Sequence, residues 1–176
     1  GVTDGVVSCV GTGYAFAALK VSGAAGTWGV CDRGGDCSAV AEGLTDGIIF
    51  ITGNGAAFAA LKNTGEVVTW GHADCGGDCS AVADRLTDGV VSISGTAGAF
   101  AALKITGEVV TWGVRHSGGD CSAVADRLTD GVVSISGTGY AFAALKNTGE
   151  VVTWGHGDRG GDCSAVADAL TDGVVL

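Results

Sequence analysis

A 42-residue repeat is the feature of this sequence that most restricts its fold. The tetrapeptide Thr-Asp-Gly-Val/Ile begins at Thr3 and recurs every 42 residues, and Thr-Trp-Gly recurs with the same spacing. Repetition at this period is typical of solenoids and propellers, in which each unit buries its faces against its neighbours. We therefore predict one repeat domain over residues 1–176, made of the units 3–44, 45–86, 87–128 and 129–170 and a partial fifth unit, 171–176.

Each unit is predicted to contain three short β-strands. In the third unit these are 90–94, 99–104 and 108–112, which are rich in β-branched, aromatic and small residues and are bounded by glycine. Thr106-Gly107 is predicted to close a short hairpin between the second and third strands. The segment 120–127 is compatible with a helical turn capped by Asp120 or Ser122, or with an irregular outer edge, and the pattern does not choose between them.

A three-stranded unit can bury both of its faces only by stacking on other units, which favours a β-propeller or a solenoid. Small residues on the first strand suit the crowded axis of a propeller, whereas Phe100, Leu103 and Trp112 suit the space between blades. The equivalent tryptophan of every unit is therefore predicted to be a packing residue, and Cys9, which stands where the other units have isoleucine, a core residue. The predicted fold class is all-β, a propeller-type array of four three-stranded blades and the start of a fifth.

Composition excludes several classes of protein. The chain of 176 residues carries a formal net charge of -10, whereas binding to a phosphate backbone needs clustered lysine and arginine. No apolar run approaches the roughly 20 residues of a membrane span. We therefore expect no nucleic-acid partner and no membrane insertion. Since the sequence contains no methionine and no signal-like start, we expect a processed product or part of a longer chain.

The repeated pattern AFAALKxTGEVVTWG…GGDxSAV resembles the short-blade branch of the regulator-of-chromosome-condensation family of propellers. Arrays with the same Gly-Gly-Asp-x-Ser-x-Val spacing are also similar to repeat proteins predicted in unicellular algae. The resemblance implies a ring of seven blades that is usually non-enzymatic and binds proteins. This chain departs from it in having four blades. Because 3–8 and 171–176 would compete for one position in a closed four-blade ring, we expect a fragment of a larger propeller, or an open arc that another chain completes.

Two stretches vary between otherwise similar units, one between the first and second strands and one after Trp-Gly. In an antiparallel three-stranded blade both lie at the same end, so they are predicted to share one face of the array. Variable loops on a repeated scaffold are typical of a binding surface, although loops on which nothing depends would also vary. The predicted partner-binding residues are Tyr14, Asp32, Arg33, His72, Asp74, Arg115, His116, Tyr140, His156, Asp158 and Arg159.

The seven cysteines allow two kinds of interpretation. One cysteine recurs at the same position of every unit, too far from its equivalents for a disulfide, and is predicted to be a small packing residue. Cys31 with Cys37, and Cys75 with Cys79, could form disulfides within their loops in an oxidising compartment.

Residues 72–79 concentrate His72, Asp74, Cys75, Asp78 and Cys79, but only one unit has this set, so we predict no metal site. No nucleophile motif, Walker loop or dinucleotide fingerprint accompanies the three histidines. We therefore predict no catalytic residues and no cofactor.

The predicted function is a non-enzymatic scaffold or protein-binding module that presents variable loops on one face. A first alternative is a peripheral accessory subunit that docks by its open ends onto a larger assembly, such as an algal one, or onto a second copy of itself. A second alternative is a lectin in which Tyr14 and Tyr140 contact sugars. The compartment is not indicated by the sequence.

Overall fold

The computed structural model describes residues 5–166 and shows four three-stranded antiparallel sheets. In every sheet the strand order follows the chain, so the second strand is central. The partial fifth unit, 171–176, lies outside the described residues. The strands are β1 Val6–Gly11, β2 Ala15–Lys20, β3 Ala25–Gly29, β4 Ile48–Gly53, β5 Ala57–Lys62, β6 Val67–Gly71, β7 Val90–Gly95, β8 Ala99–Lys104, β9 Val109–Gly113, β10 Val132–Gly137, β11 Ala141–Lys146 and β12 Val151–Gly155.

Short 3₁₀ helices follow the third strand of each unit. One turn comes directly after Trp-Gly, and a second, longer segment follows Gly-Gly-Asp-Cys. From the sequence, the second segment was compatible with either a helical turn or an irregular edge. The structure shows the helical turn. The 3₁₀ segments are Cys31–Arg33, Ser38–Leu44, Ala73–Cys75, Ser80–Arg85, Arg115–Ser117, Ser122–Arg127 and Gly157–Arg159.

Neighbouring sheets pack face to face, and each sheet has two different faces because strand side chains alternate. We call the face that carries Phe58 and Trp70 in unit 2 the aromatic face, and the face that carries Ala59 and Leu61 the aliphatic face. The aliphatic face of each unit packs against the aromatic face of the next unit. The three cores therefore lie between units, as the prediction of a stacked array requires.

The third unit shows the packing that the sequence predicts. Phe100 is fully buried, Leu103 is 5 % exposed and Trp112 is 4 % exposed. The Phe100 and Trp112 rings lie 5.5 Å apart. The indole Nε1 of Trp112 donates a hydrogen bond of 3.0 Å to the carbonyl of Gly76 in the preceding unit. Each buried tryptophan is therefore both an apolar and a hydrogen-bonding link between units.

The first strands of successive units lie side by side at the inner edge of the array. Ser94 Oγ donates a hydrogen bond of 3.0 Å across this edge to the carbonyl of Ile135. A Cβ added at Gly137 would lie 2.6 Å from the carbonyl oxygen of Gly95, so the first strands approach too closely for larger residues there. This confirms that the small residues belong at the crowded inner edge.

The first unit differs from the prediction. Trp28 and Phe16 are each 50 % exposed, and Cys9 is exposed, so assigning Trp28 and Cys9 to a core was wrong. All three residues lie on the aromatic face of unit 1, and in the described part of the chain no aliphatic face covers it. Residues 5–166 therefore form an open arc rather than a closed four-blade ring.

No helix within residues 5–166 is long and apolar enough to cross a membrane.

Candidate functional site

The two variable stretches of each unit meet at one end of its sheet. The backbone amide of Val30 donates a hydrogen bond of 3.1 Å to the carbonyl of Tyr14. In unit 4 the backbone amide of His156 donates one of 3.0 Å to the carbonyl of Tyr140. Units 2 and 3 repeat the bond at the equivalent positions. We call this surface the loop face; it comprises residues 12–14, 54–56, 96–98 and 138–140 together with 30–33, 72–75, 114–117 and 156–159.

A backbone ladder joins the loop face across all four units. Gly13 N donates to the carbonyl of Gly55 at 3.2 Å, Gly55 N donates to Ala97 at 2.9 Å, and Ala97 N donates to Gly139 at 2.8 Å. The turn between the first and second strands of each unit is therefore bonded to the same turn of the next. Because these bonds use only the main chain, they do not depend on most of the loop-face side chains. Gly55 is an exception, since an added Cβ would lie 2.6 Å from the carbonyl oxygen of Ala97.

A polar side chain ties the two stretches of the loop face together in units 2 to 4. Asn54 Nδ2 donates to the carbonyl of Cys75 at 2.5 Å, and Thr96 Oγ1 donates to that of Ser117 at 2.8 Å. Thr138 Oγ1 makes the equivalent bond at 3.3 Å. The sequence reasoning did not single out these residues. A polar side chain at the same position of every unit was the signal that could have identified them.

Tyrosine and arginine pair on the loop face of the first and last described units. The Arg33 guanidinium lies 5.1 Å from the centre of the Tyr14 ring, and Arg159 lies 5.1 Å from that of Tyr140. Tyr14 is 54 % exposed and Tyr140 43 % exposed. Each pair is a cation–π contact whose tyrosine stays accessible from solvent.

The middle units carry a different set of loop-face side chains. Arg115 Nε lies 2.9 Å from a carboxylate oxygen of Asp120, and His116 is exposed beside it. In unit 2, Asp74 is exposed, whereas Nδ1 of His72 is buried and has no hydrogen-bond partner within the described part of the chain.

The remaining predicted residues, Asp32, His156 and Asp158, are also exposed on this face. The structure thus brings all eleven predicted residues to one surface, along its length rather than into one cluster.

A carboxylate that recurs in every unit anchors the loop that follows each variable stretch. Asp78 accepts a hydrogen bond of 2.8 Å from the backbone amide of Ser80, and Asp36, Asp120 and Asp162 make the same contact. This backbone hydrogen bond, together with a side-chain one from the same serine, lowers the pKa of each carboxyl below its ordinary value of 3.8. Each contact joins the carboxylate to the amide two residues further on, which is the geometry of an Asx turn.

The lowered pKa values predict how stability depends on pH. A carboxyl with a lower pKa in the folded state stabilises the fold above its unfolded pKa, and that stability is lost as the pH falls through the folded pKa. We expect the thermal midpoint to fall between about pH 6 and about pH 3, and to fall less when the four aspartates, Asp36, Asp78, Asp120 and Asp162, are changed to asparagine. Asp74→Asn on the loop face is the control. An equal acid-induced fall in the fourfold variant and the parent would contradict the assignment.

All seven cysteines are free thiols in the structure. Neither Cys31–Cys37 nor Cys75–Cys79 is bridged: Cys31 is exposed, Cys37 packs against the core between units 1 and 2, and Cys75 and Cys79 both pack against the core between units 2 and 3. Cys121 packs in the same way. Packing against the cores accounts for the recurring cysteine of units 1 to 3, Cys37, Cys79 and Cys121. Among residues 5–166, no three His, Cys, Asp or Glu side chains converge as metal ligands would.

Several solved structures share this array of three-stranded sheets. Human WBSCR16 superposes with a TM-score of 0.57 at 19 % identity, over 90 % of this chain and 50 % of that one. Yeast RCC1 (Prp20), solved with Kap60, superposes with a TM-score of 0.60 at 15 % identity, over 99 % of this chain and 47 % of that one. The fold is the RCC1-like β-propeller fold.

The ectodomain of a plant receptor shares the RCC1-like fold as well. The ectodomain of the Physcomitrella patens receptor kinase CR4 matches with a TM-score of 0.55 at 20 % identity, over 85 % of this chain and 40 % of its own. The RCC1-like arc described here thus spans about half the length of these structures or less. No family model and no curated protein matches the sequence. The expected resemblance to this propeller family is confirmed at the level of the fold.

Proposed function

We propose that this chain is a non-enzymatic protein-binding module or scaffold that contacts its partner through the loop face. One observation carries the proposal. Units 3 and 4 differ at eight positions, and six of these, 97, 98 and 114–117 with their equivalents in unit 4, lie on the loop face. Sequence change is thus concentrated on one surface, above a main-chain ladder that is the same in every unit.

The side chains of the loop face suit contact with a protein. Tyrosine and arginine are the residue types that, with tryptophan, contribute most to binding at protein interfaces. The pairs Tyr14–Arg33 and Tyr140–Arg159 present both types in a fixed arrangement, which lowers the entropy lost when a partner binds. Exposed Asp32, Asp74 and Asp158 add the opposite charge. A partner surface of mixed charge with an apolar centre would complement this face.

Two solved structures of the same fold add support by analogy. Prp20p from Saccharomyces cerevisiae was crystallised in a study of its binding to Gsp1p and histones, and yeast RCC1 (Prp20) was crystallised with Kap60. The fold is thus compatible with protein partners, although a fold alone does not transmit a function.

The test compares two sets of substitutions in affinity capture from the source. Tyr14→Ser with Tyr140→Ser removes the exposed rings of the loop face. Val21→Ser with Ile105→Ser removes two apolar side chains, 62 % and 78 % exposed, at the opposite end of the sheets. We expect a protein that the parent and the control variant capture equally, and that the loop-face variant binds at least about tenfold more weakly. A captured partner that binds the loop-face variant with unchanged affinity would contradict the proposal.

A second candidate, an accessory subunit that docks by its ends, is favoured by the aromatic face of unit 1. Phe16 and Trp28 are half-exposed there, whereas their equivalents Phe58 and Trp70 are buried. A partner that presented an aliphatic face could cover them, and a second copy of the chain has such a face. Phe16→Ser with Trp28→Ser would abolish partner binding in this case, and the loop-face variant would bind normally.

The lectin alternative gains less support from the structure. It needs an open tyrosine ring at residues 14 and 140, but an arginine lies over one face of each ring. A glycan array that shows no signal would eliminate it.

A further inference from the structure

A groove of about 510 Å³ opens on the outer side of the array between units 1 and 2. Its walls are the 3₁₀ segment Ser38–Leu44 and the outermost strand β6. Gly43 and Glu66 lie on opposite walls, and Val68 and Cys79 also line it. The groove contains a carboxylate beside apolar side chains, which are the components of a site for a long cationic side chain.

The next groove along the array shows which group fits such a site. Between units 2 and 3, Arg85 stands at the position of Gly43. Its Nη2 donates a hydrogen bond of 2.6 Å to Glu108 Oε1 and one of 3.4 Å to the carbonyl of Val109. The Arg85 side chain thus reaches from the 3₁₀ segment to the strand opposite, whereas Gly43 has no side chain and leaves the groove between units 1 and 2 open.

The third groove repeats the contact. Arg127 donates from Nε and Nη2 to Glu150 Oε1 at 2.9 and 2.7 Å, and from Nη2 to the carbonyl of Val151 at 3.3 Å. The same guanidinium position thus occurs twice in one molecule with the same two acceptors. Glu66 and the Val67 carbonyl are the equivalents of these acceptors in the first groove.

In the first groove, where Gly43 replaces the arginine, a lysine lies beside the glutamate. Lys104 and Lys146 each donate from Nζ to a backbone carbonyl, that of Arg85 and that of Arg127. Their equivalent, Lys62, instead lies 3.5 Å from Glu66 Oε2. Lys62 does not line the groove, which stays open between Gly43 and Glu66.

We propose that this groove, between Gly43 and Glu66, binds an arginine side chain of a protein partner. The guanidinium takes the position that Arg85 and Arg127 occupy in the other two grooves, bonded to the Glu66 carboxylate and the Val67 carbonyl. Arginine fits better than lysine because its planar fork can bond both acceptors at once. The net charge of -10 further favours a cationic ligand. The site lies on the outer strand and does not depend on the loop-face proposal.

The experiment uses N-acetyl-arginine methylamide as the probe and N-acetyl-lysine methylamide as the matched control. Both are titrated into the ¹⁵N-labelled chain, and amide shifts are followed by NMR. We expect saturable shifts at residues 41–43 and 66–69 with the arginine probe, and much weaker ones with the lysine probe. Absence of saturable shifts at these residues, or an equal response to both probes, would overturn the proposal.

Two variants test the geometry of the site. Gly43→Arg supplies an internal guanidinium as in the other grooves, so the arginine probe should no longer shift these residues. Glu66→Gln keeps the shape but removes the charge, and should weaken binding of the probe about tenfold. Shifts that persist unchanged in both variants would place the probe elsewhere and overturn the proposal. Should Gly43→Arg fold poorly because its Cβ lies 3.2 Å from Val68 Cγ2, the Glu66→Gln result decides the question.

Discussion

Replacing Trp112 by alanine is expected to lower the free energy of unfolding by about 3–5 kcal/mol, the range for removing a large buried aromatic side chain. Trp112 is 4 % exposed, and it packs in the core between units 2 and 3. The substitution also leaves the carbonyl of Gly76 without the indole donor at 3.0 Å, which adds the cost of an unsatisfied buried acceptor. Urea unfolding followed by circular dichroism measures the change.

Trp28→Ala is the matched control for this substitution. Trp28 occupies the same position of unit 1 and stacks on Phe16, with ring centres 5.5 Å apart, but it is 50 % exposed. We expect a loss of about 1 kcal/mol, since half of its surface is already in water. Equal losses at the two positions would mean that stacking between units contributes little to stability.

Replacing Gly76 by alanine is expected to destabilise the chain by about 2–5 kcal/mol, from left-handed backbone strain and a steric clash together. Gly76 has a φ of +91°, and an added Cβ would lie 2.8 Å from Cδ2 of Phe100 and 3.1 Å from Trp112. Phe100 is fully buried and cannot move aside. The midpoint and slope of urea unfolding give the loss.

Gly160→Ala separates the two causes. Gly160 has a φ of +102°, but no atom of residues 5–166 lies within 4 Å of its added Cβ. It therefore carries the backbone strain without the clash, and we expect a loss of about 1–2 kcal/mol. A loss at Gly76 no larger than that at Gly160 would show that contact with the following unit does not require glycine at this position.

Much of the fold could be predicted because the same pattern of strand residues recurs in four units. Alternating apolar residues bounded by glycine marked the strands, and residues such as Phe100 were too large for any place but the space between units. The end of the sheet at which the variable residues cluster followed from antiparallel order alone. The contacts between these residues could not be predicted in this way. The pairing of Arg33 with Tyr14 depends on the direction in which the 3₁₀ turn Cys31–Arg33 orients its side chains.

The sequence alone is enough to infer the repeat, the three strands of each unit, the stacked propeller-type architecture and the surface that carries the variable loops. These follow from local periodicity, which every unit carries in its own residues. Which copy of an equivalent residue is buried became clear only in the folded chain. Trp28 and Trp112 lie in the same Thr-Trp-Gly motif, yet one is half-exposed and the other buried, because burial depends on the unit that lies opposite. The structure also shows that Gly43 borders an open groove, whereas Arg85, at the same position of unit 2, is hydrogen-bonded to Glu108.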